Sequence, residues 1–333
     1  MPLINNCYGY GKSGSVPQLC DQVDNFKVSA GDLSAKLTWS APTKDEDNSF
    51  VGTRIVRKVG SAPKNKSDGT VVYEDTALTY TDTGLTAGTT YYYRAFAYNA
   101  KKKYQTAYRV ASLTAISIRP NFADNDWGSI IYACRSGKVP DTWVAGDSKT
   151  MTIDGADYQF DIVGKNHDTY TTGGIAPITL GMHDCYGTKY SMNSATTAET
   201  GWNDSKMRME TIPAILAKMP ANIQNGIRAV NKLTATSAMD STIKTASDKL
   251  FLFSEMEVYG SATNSFSGEG KQYDYYKAGN SKVKKVGSDA SRWSLRSPNA
   301  YDDEYFCAVE IDGSSYKYNY ASFLAGVCFG FCF

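Results

Sequence analysis

Leu33-Ser34-Ala35-Lys36-Leu37-Thr38-Trp39-Ser40-Ala41-Pro42 sets Leu33, Ala35, Leu37 and Trp39 at every second position, with polar residues between them. A period of two is the spacing of a half-buried strand, and Pro42, which lacks an amide hydrogen, stops it. The alternation returns downstream. Thr53, Ile55 and Arg57 alternate with Arg54, Val56 and Lys58, and strand-like runs follow at 71–73, 79–81, 91–98 and 107–118. Many short strands separated by turn residues pack as two sheets, so residues 20–118 read as an all-β sandwich.

Three phrases in that span carry a resemblance: Leu37-Thr38-Trp39-Ser40-Ala41-Pro42, Tyr80-Thr81-Asp82-Thr83-Gly84-Leu85, and Gly88-Thr89-Thr90-Tyr91-Tyr92-Tyr93-Arg94-Ala95. Together they resemble the fibronectin type III module. The resemblance implies that Trp39 is the core tryptophan of the second strand. It also implies that Tyr91 forms the tyrosine corner, its hydroxyl tying the strand to the preceding loop. The span contains no Arg-Gly-Asp, and the module is expected to act as a spacer.

The chain has 333 residues, enough for two cores and hence two domains. With 35 basic and 34 acidic residues the net charge is +1, which argues against a nucleic-acid partner. The lysines at 101–103 and 282–285 read as solvated loop or edge charges. Tyrosine occurs 24 times, against 13 Phe and 5 Trp, and its rigid face and hydroxyl suit both strands and recognition surfaces. Only His167 and His183 are available for histidine chemistry. Cys7, Cys20, Cys134, Cys185, Cys307, Cys328 and Cys332 include no CxxC, so free, buried thiols in a reducing cytosol are expected. The N-terminus lacks the charged start and apolar run of a signal peptide, and no apolar run spans a bilayer, so membrane insertion is not expected. Residues 1–19, polar and rich in Gly and Ser, read as an attachment segment. Gly11-Lys12-Ser13 is not a phosphate-binding loop, because position 6, where that motif needs glycine, is Asn6.

Arg119-Pro120-Asn121 marks a boundary, and residues 120–333 change character. A hairpin is expected at 148–163 with its turn at Asp154-Gly155. A helical region is expected across 200–232: Ile215, Leu216 and Met219 are at helical spacing, and Ile223, Ile227 and Val230 repeat it after Pro220. Residues 250–259 form a strand-like apolar run. Gly326-Val327-Cys328-Phe329-Gly330-Phe331-Cys332-Phe333 is too apolar to be exposed, so it must be a buried terminal strand pinning the loop before it.

Several phrases here read together: Gly164-Lys165-Asn166-His167-Asp168, Gly201-Trp202-Asn203-Asp204-Ser205-Lys206-Met207-Arg208, Met219-Pro220-Ala221-Asn222-Ile223-Gln224, Asp248-Lys249-Leu250-Phe251-Leu252-Phe253-Ser254-Glu255, Glu269-Gly270-Lys271-Gln272-Tyr273-Asp274-Tyr275-Tyr276 and Trp293-Ser294-Leu295-Arg296-Ser297-Pro298. They resemble a domain family of unassigned chemistry found in tail-associated proteins of phages and prophages. The resemblance implies a C-type-lectin-like α+β fold across 120–333. It extends to the variable proteins of diversity-generating retroelements, which implies a variable region at 293–333. In that family displayed positions draw on Asn, Tyr, Asp, Ser, Ala and Phe, and Glu304 and Lys317 depart from the pattern. Asn299, Tyr301, Asp302, Asp303, Tyr316, Tyr318, Tyr320 and Phe323 are the displayed ligand contacts that it implies.

Other constellations weigh less. His167-Asp168 and His183-Asp184 meet no metal-ligand spacing. Asp302-Asp303-Glu304 reads as a solvated cluster rather than a glycosidase or calcium site. Cys328 and Cys332, among phenylalanines, read as core, and Arg296 as a structural hydrogen-bonder. The expected protein is therefore not an enzyme and needs no cofactor. It is a phage tail receptor-binding protein, made in the bacterial cytoplasm and carried on the virion. Its expected partners are a host cell-surface glycan or protein, phage tail or baseplate proteins through the N-terminal segment, and further copies of itself in a homotrimer. The alternatives are a bacterial surface or polysaccharide-binding protein outside a phage and a tail-associated depolymerase.

Overall fold

The computed structural model describes residues 21–43 and 49–333. The expected attachment segment, with Gly11-Lys12-Ser13, Cys7 and Cys20, lies outside the described residues. The chain divides between Ser117 and Ile118 into two compact units. No helix among the described residues is long and apolar enough to cross a membrane.

In the first unit β1 (Asp24–Gly31), β2 (Ser34–Ser40) and β5 (Thr79–Thr83) form one antiparallel sheet in the order β1-β2-β5. The second sheet holds β4 (Thr70–Asp75), β3 (Phe50–Val59), β6 (Thr90–Asn99) and β7 (Arg109–Thr114), in that order. This is a fibronectin type III-like β-sandwich. Ala35, Leu37 and Trp39 point into its core as their period requires, and the Trp39 indole donates to Thr53 Oγ1 at 2.9 Å. The Tyr91 hydroxyl accepts the Thr86 amide at 3.0 Å, closing the tyrosine corner. Leu33 departs from the expected strand. It occupies the β1–β2 turn with φ +44° and is 38% exposed, because the hairpin reverses there and needs a left-handed residue. β1 shows the same period, with Phe26 and Val28 leaning on the core and Asn25, Lys27 and Ser29 turned to solvent.

The second unit is built on a five-stranded antiparallel sheet. Its order is β13 (Leu250–Leu252), β19 (Phe329–Cys332), β10 (Ile178–Met182), β9 (Ala156–Lys165) and β8 (Ser148–Ile153). β8 and β9 are the expected hairpin, turning through Asp154 and Gly155 at φ +52° and +80°, the left-handed pair that a tight two-residue hairpin turn requires. The terminal strand β19 is flanked on both sides and wholly buried, which accounts for its unbroken apolar run. Gly330 lies opposite Gly181, and the Phe253 ring packs over both where any Cβ would stand.

Around this sheet stand α1 (Trp127–Ser136), α2 (Ile212–Lys218), α3 (Ala221–Gly226), α4 (Glu255–Tyr259) and α5 (Asp274–Lys277). Two hairpins, β11 (Val230–Ser237) with β12 (Asp240–Asp248) and β14 (Lys284–Val286) with β15 (Asp289–Ser291), complete the frame with a three-stranded sheet of β16 (Trp293–Pro298), β17 (Tyr305–Val309) and β18 (Ser315–Tyr320). Two expectations need correction. The helical region ends at Gly226, and Val230 opens β11, since its burial is needed against the core sheet rather than on a helix face. The run 250–259 is a strand for only three residues. Ser254 then accepts the Glu257 amide while the Glu257 carboxylate accepts the Ser254 amide, and this reciprocal cap starts α4.

Candidate recognition face

β16 and residues 306–309 of β17 are buried on both faces, so solvent reaches the three-stranded sheet along its edge strand β18 and at Tyr305, while Asn319 of β18 is buried. On β18 the period of two then turns Tyr316, Tyr318 and Tyr320 outward. β17 contributes Tyr305, paired directly with Tyr320. Ring centroids stand 4.6 Å apart for Tyr305–Tyr320, 5.6 Å for Tyr305–Tyr318 and 6.1 Å for Tyr316–Tyr318, so the four rings form one continuous array. A hydrogen bond with Tyr320 first, then burial and the charges of Asp302 and Glu304, hold the Tyr305 hydroxyl firmly protonated.

Cations bind the array at both ends. Lys317 Nζ stands 4.9 Å from the Tyr318 ring and 5.7 Å from Tyr301. The Arg292 guanidinium lies 3.9 Å from Tyr316 and 5.2 Å from Phe323, and is itself held by Glu310 at 2.6 Å. Tyr301 is 67% exposed, Tyr318 52%, Tyr320 44% and Phe323 46%. Ile311 and Leu324 are also exposed. Large apolar surface left open beside fixed polar groups is the composition of a binding surface.

Seven of the eight expected contacts therefore reach solvent: Tyr301, Asp303, Tyr318, Tyr320 and Phe323 are exposed, Asp302 and Tyr316 half-buried. Asn299 corrects the expectation. It is buried, its Nδ2 donates to the Lys317 carbonyl at 2.6 Å, and its Oδ1 accepts the Tyr301 amide at 2.7 Å. It joins the 299–304 loop to β18 from behind and displays nothing. Tyr305 and Arg292 were passed over in the sequence. The alternation of Tyr305 with buried Phe306 was readable, but its pairing with Tyr320 depends on register.

The face has a rigid support. Glu255, at the start of α4, is fully buried and accepts five hydrogen bonds. They come from Asn264 N at 2.9 Å and Nδ2 at 3.1 Å, Ser265 N and Oγ at 2.8 Å each, and Ser315 Oγ at 2.6 Å. Ser315 begins β18, so the carboxylate fixes the edge strand to the helix. A carboxylate satisfied in this way needs no counter-charge, and one left unsatisfied would cost about 1–3 kcal/mol or more.

The other sequence phrases converge on a second buried cluster. Asp168 pairs with Lys232 at 2.8 Å, Lys232 with Glu257 at 2.5 Å, and Arg296 grips Glu257 through two nitrogens at 2.5 and 2.9 Å. Arg296 also donates to the Leu233, Leu252 and Glu269 carbonyls. Its role is to hold structure. Tyr273 OH donates to Asp168 at 2.8 Å. Burial alone would raise the Asp168 carboxyl, but the Lys232 charge and the hydrogen bonds from Lys232, Thr179 and Tyr273 outweigh it and bring it down to about 2. A carboxylate so firmly ionised does not serve as a proton donor at neutral pH. His167 stacks on Tyr273, and His183 bonds Asp161 at 2.8 Å. Cys134, Cys185, Cys307, Cys328 and Cys332 are free and buried, with the Cys328 and Cys185 sulfurs 2.9 Å apart.

Residues 178–330 match a family model described as a domain of unknown function, DUF6273. That span contains the three-stranded sheet and its supports. No curated protein matches the chain. Among solved structures, the FN3tt mutant is similar at 22% identity, over 29% of this chain and 97% of that one, with a TM-score of 0.23. The sixth fibronectin type III domain of human fibronectin type III domain containing protein 3 is similar at 21% identity, over 33% and 95%, with a TM-score of 0.25. The sandwich assignment rests on the sheet order of the first unit.

Proposed function

We propose that this chain is a ligand-recognition protein of the kind carried on phage tails, gripping a host cell-surface glycan or protein through the Tyr301–Phe323 face. One observation carries the reading: a continuous array of tyrosine rings, open to solvent at Tyr318 and Tyr320, stands on strands tied from behind by hydrogen bonds of Asn299 and Glu255. Pre-organised aromatic side chains lose little entropy on binding. Tyrosine faces stack on sugar rings or apolar side chains, while Asp302, Asp303 and the tyrosine hydroxyls exchange hydrogen bonds with a ligand's polar groups. The five-stranded sheet whose C-terminal strand is flanked on both sides, and the three-stranded sheet that precedes that strand in sequence, support a C-type-lectin-like reading of the second unit. In the same reading the first unit is a spacer, the N-terminal segment attaches the protein to the particle, and three copies combine weak sites by avidity.

The test is sedimentation of the full chain with intact cells of a panel of candidate host bacteria. The expected result is saturable retention on one or a few hosts and none on the rest. Retention on no host would overturn the reading.

A further inference from the structure

The outer face of the first unit's four-stranded sheet departs from what a bare spacer would show. Along β6, Tyr93, Ala95 and Ala97 face the sandwich core, which turns Arg94, Phe96 and Tyr98 outward. Those outward residues are also buried, at 8%, 3% and 3% exposure. The β3–β4 and β6–β7 connections lean over the sheet and leave a groove of about 670 Å³ between them, lined by Lys64, Lys66, Arg94, Phe96, Lys103 and Tyr104 among others.

Arg94 is the informative residue. Its Nη1 donates to the Pro63 and Lys64 carbonyls at 2.6 Å each, and its guanidinium lies 3.4 Å from the Tyr108 ring. Its Nε is buried without a partner, and among the described residues no carboxylate pairs with it. Unlike the Glu255 carboxylate, this buried cation is not fully hydrogen-bonded, and an anion nearby would complete its surroundings. The nearby acids are already engaged: Glu74 by Arg54, Lys102 and Tyr104, and Asp68 by Lys58. Lys64, Lys66 and Lys103 are exposed, and among the described residues none of their ammonium groups forms an ion pair, although Asp68 accepts the Lys64 amide at 2.7 Å. The groove is thus a cationic trough with a buried arginine at its base.

We propose that this groove binds an anionic glycopolymer, with carboxylates or phosphates spaced along a hydroxyl-rich backbone. The groove is partly open to solvent, and Asn65 and Thr106 in its lining offer amide and hydroxyl groups to sugar hydroxyls. A nucleic acid fits less well. Binding of single strands uses open aromatic rings for base stacking, and the Tyr104 ring is already approached by Lys66 at 4.8 Å and Arg54 at 5.2 Å. The site is independent of the tyrosine face.

The test is titration of the full chain with polygalacturonate, a glycerol-phosphate polymer, neutral dextran, a poly-dT oligonucleotide and polyglutamate, at low and high salt. The expected result is salt-sensitive binding of one or both of the first two and none of dextran. Polygalacturonate alone would assign carboxylates, and the glycerol-phosphate polymer alone phosphates. Lys64→Glu/Lys66→Glu/Lys103→Glu, all surface changes, is expected to weaken that binding about tenfold or more, while Tyr318→Ala/Tyr320→Ala leaves it unchanged. Absence of binding to both polymers, equal binding by the lysine variant, loss in the tyrosine variant, or equally tight binding of the oligonucleotide or polyglutamate would each overturn the proposal.

Discussion

Asp168 shows how a single residue in a family-like phrase can mislead about chemistry. Beside His167 it offers a metal reading that the missing ligand spacing already argues against. Its carboxylate is instead consumed by Lys232, Thr179 and Tyr273. This gives a pH dependence whose sign can be worked out. The folded value of about 2 lies below the ordinary 3.8, so the stabilisation is in place above that ordinary value and disappears as pH falls toward 2. It is worth about 2 kcal/mol. Thermal unfolding of the second unit, followed by calorimetry on the full chain, is expected to shift to lower temperature between about pH 4 and pH 2, with a shallower shift in Asp168→Asn. An identical acid profile in the variant would remove Asp168 from the account. Asn299 teaches the complementary lesson. Its composition class is that of a displayed contact, but its amide bridges two backbone segments, and only the register of β18 reveals this.

At the scale of elements, legibility followed how much of the signal was local. The β8–β9 hairpin was readable because two left-handed turn residues are written as Asp154-Gly155. β19 was readable because no exposed segment tolerates such apolarity. α4 was misread, since Phe251, Leu252 and Phe253 dominate the run and the Ser254–Glu257 cap is a quieter signal inside it. α1 was passed over although Asp126 caps it and Gly137 ends it. The placement of β19 also makes a prediction. A Cβ at Gly330 would stand 2.9 Å from the Phe251 ring, 3.0 Å from Phe253 and 3.1 Å from the Leu180 carbonyl. Gly330→Ala is expected to destabilise the second unit by about 1–3 kcal/mol through overpacking. Chemical denaturation checks it, and an unchanged midpoint would mean that the β10–β19 contact is looser than described.

The molecule as a whole combines a fibronectin type III-like sandwich, whose existence was legible in its alternation and its tryptophan and tyrosine phrases, with a second unit whose face was legible only in part. Seven of eight expected contacts reach solvent, but the array that joins them depends on Tyr305, Arg292 and Lys317, which strand pairing assembles from three separate stretches. The central claim is that this array is the recognition surface. Its most direct test is the affinity of the full chain for a retained host cell, compared with Tyr301→Ala/Tyr318→Ala/Tyr320→Ala and with a control, Ile175→Ala/Met209→Ala, altered at exposed residues outside the array. Each lost aromatic anchor is expected to cost about 1–2 kcal/mol, so the tyrosine variant should bind about a hundredfold more weakly or worse while keeping its circular dichroism spectrum, and the control should match the parent. Equal affinity of the tyrosine variant and the parent would contradict the account.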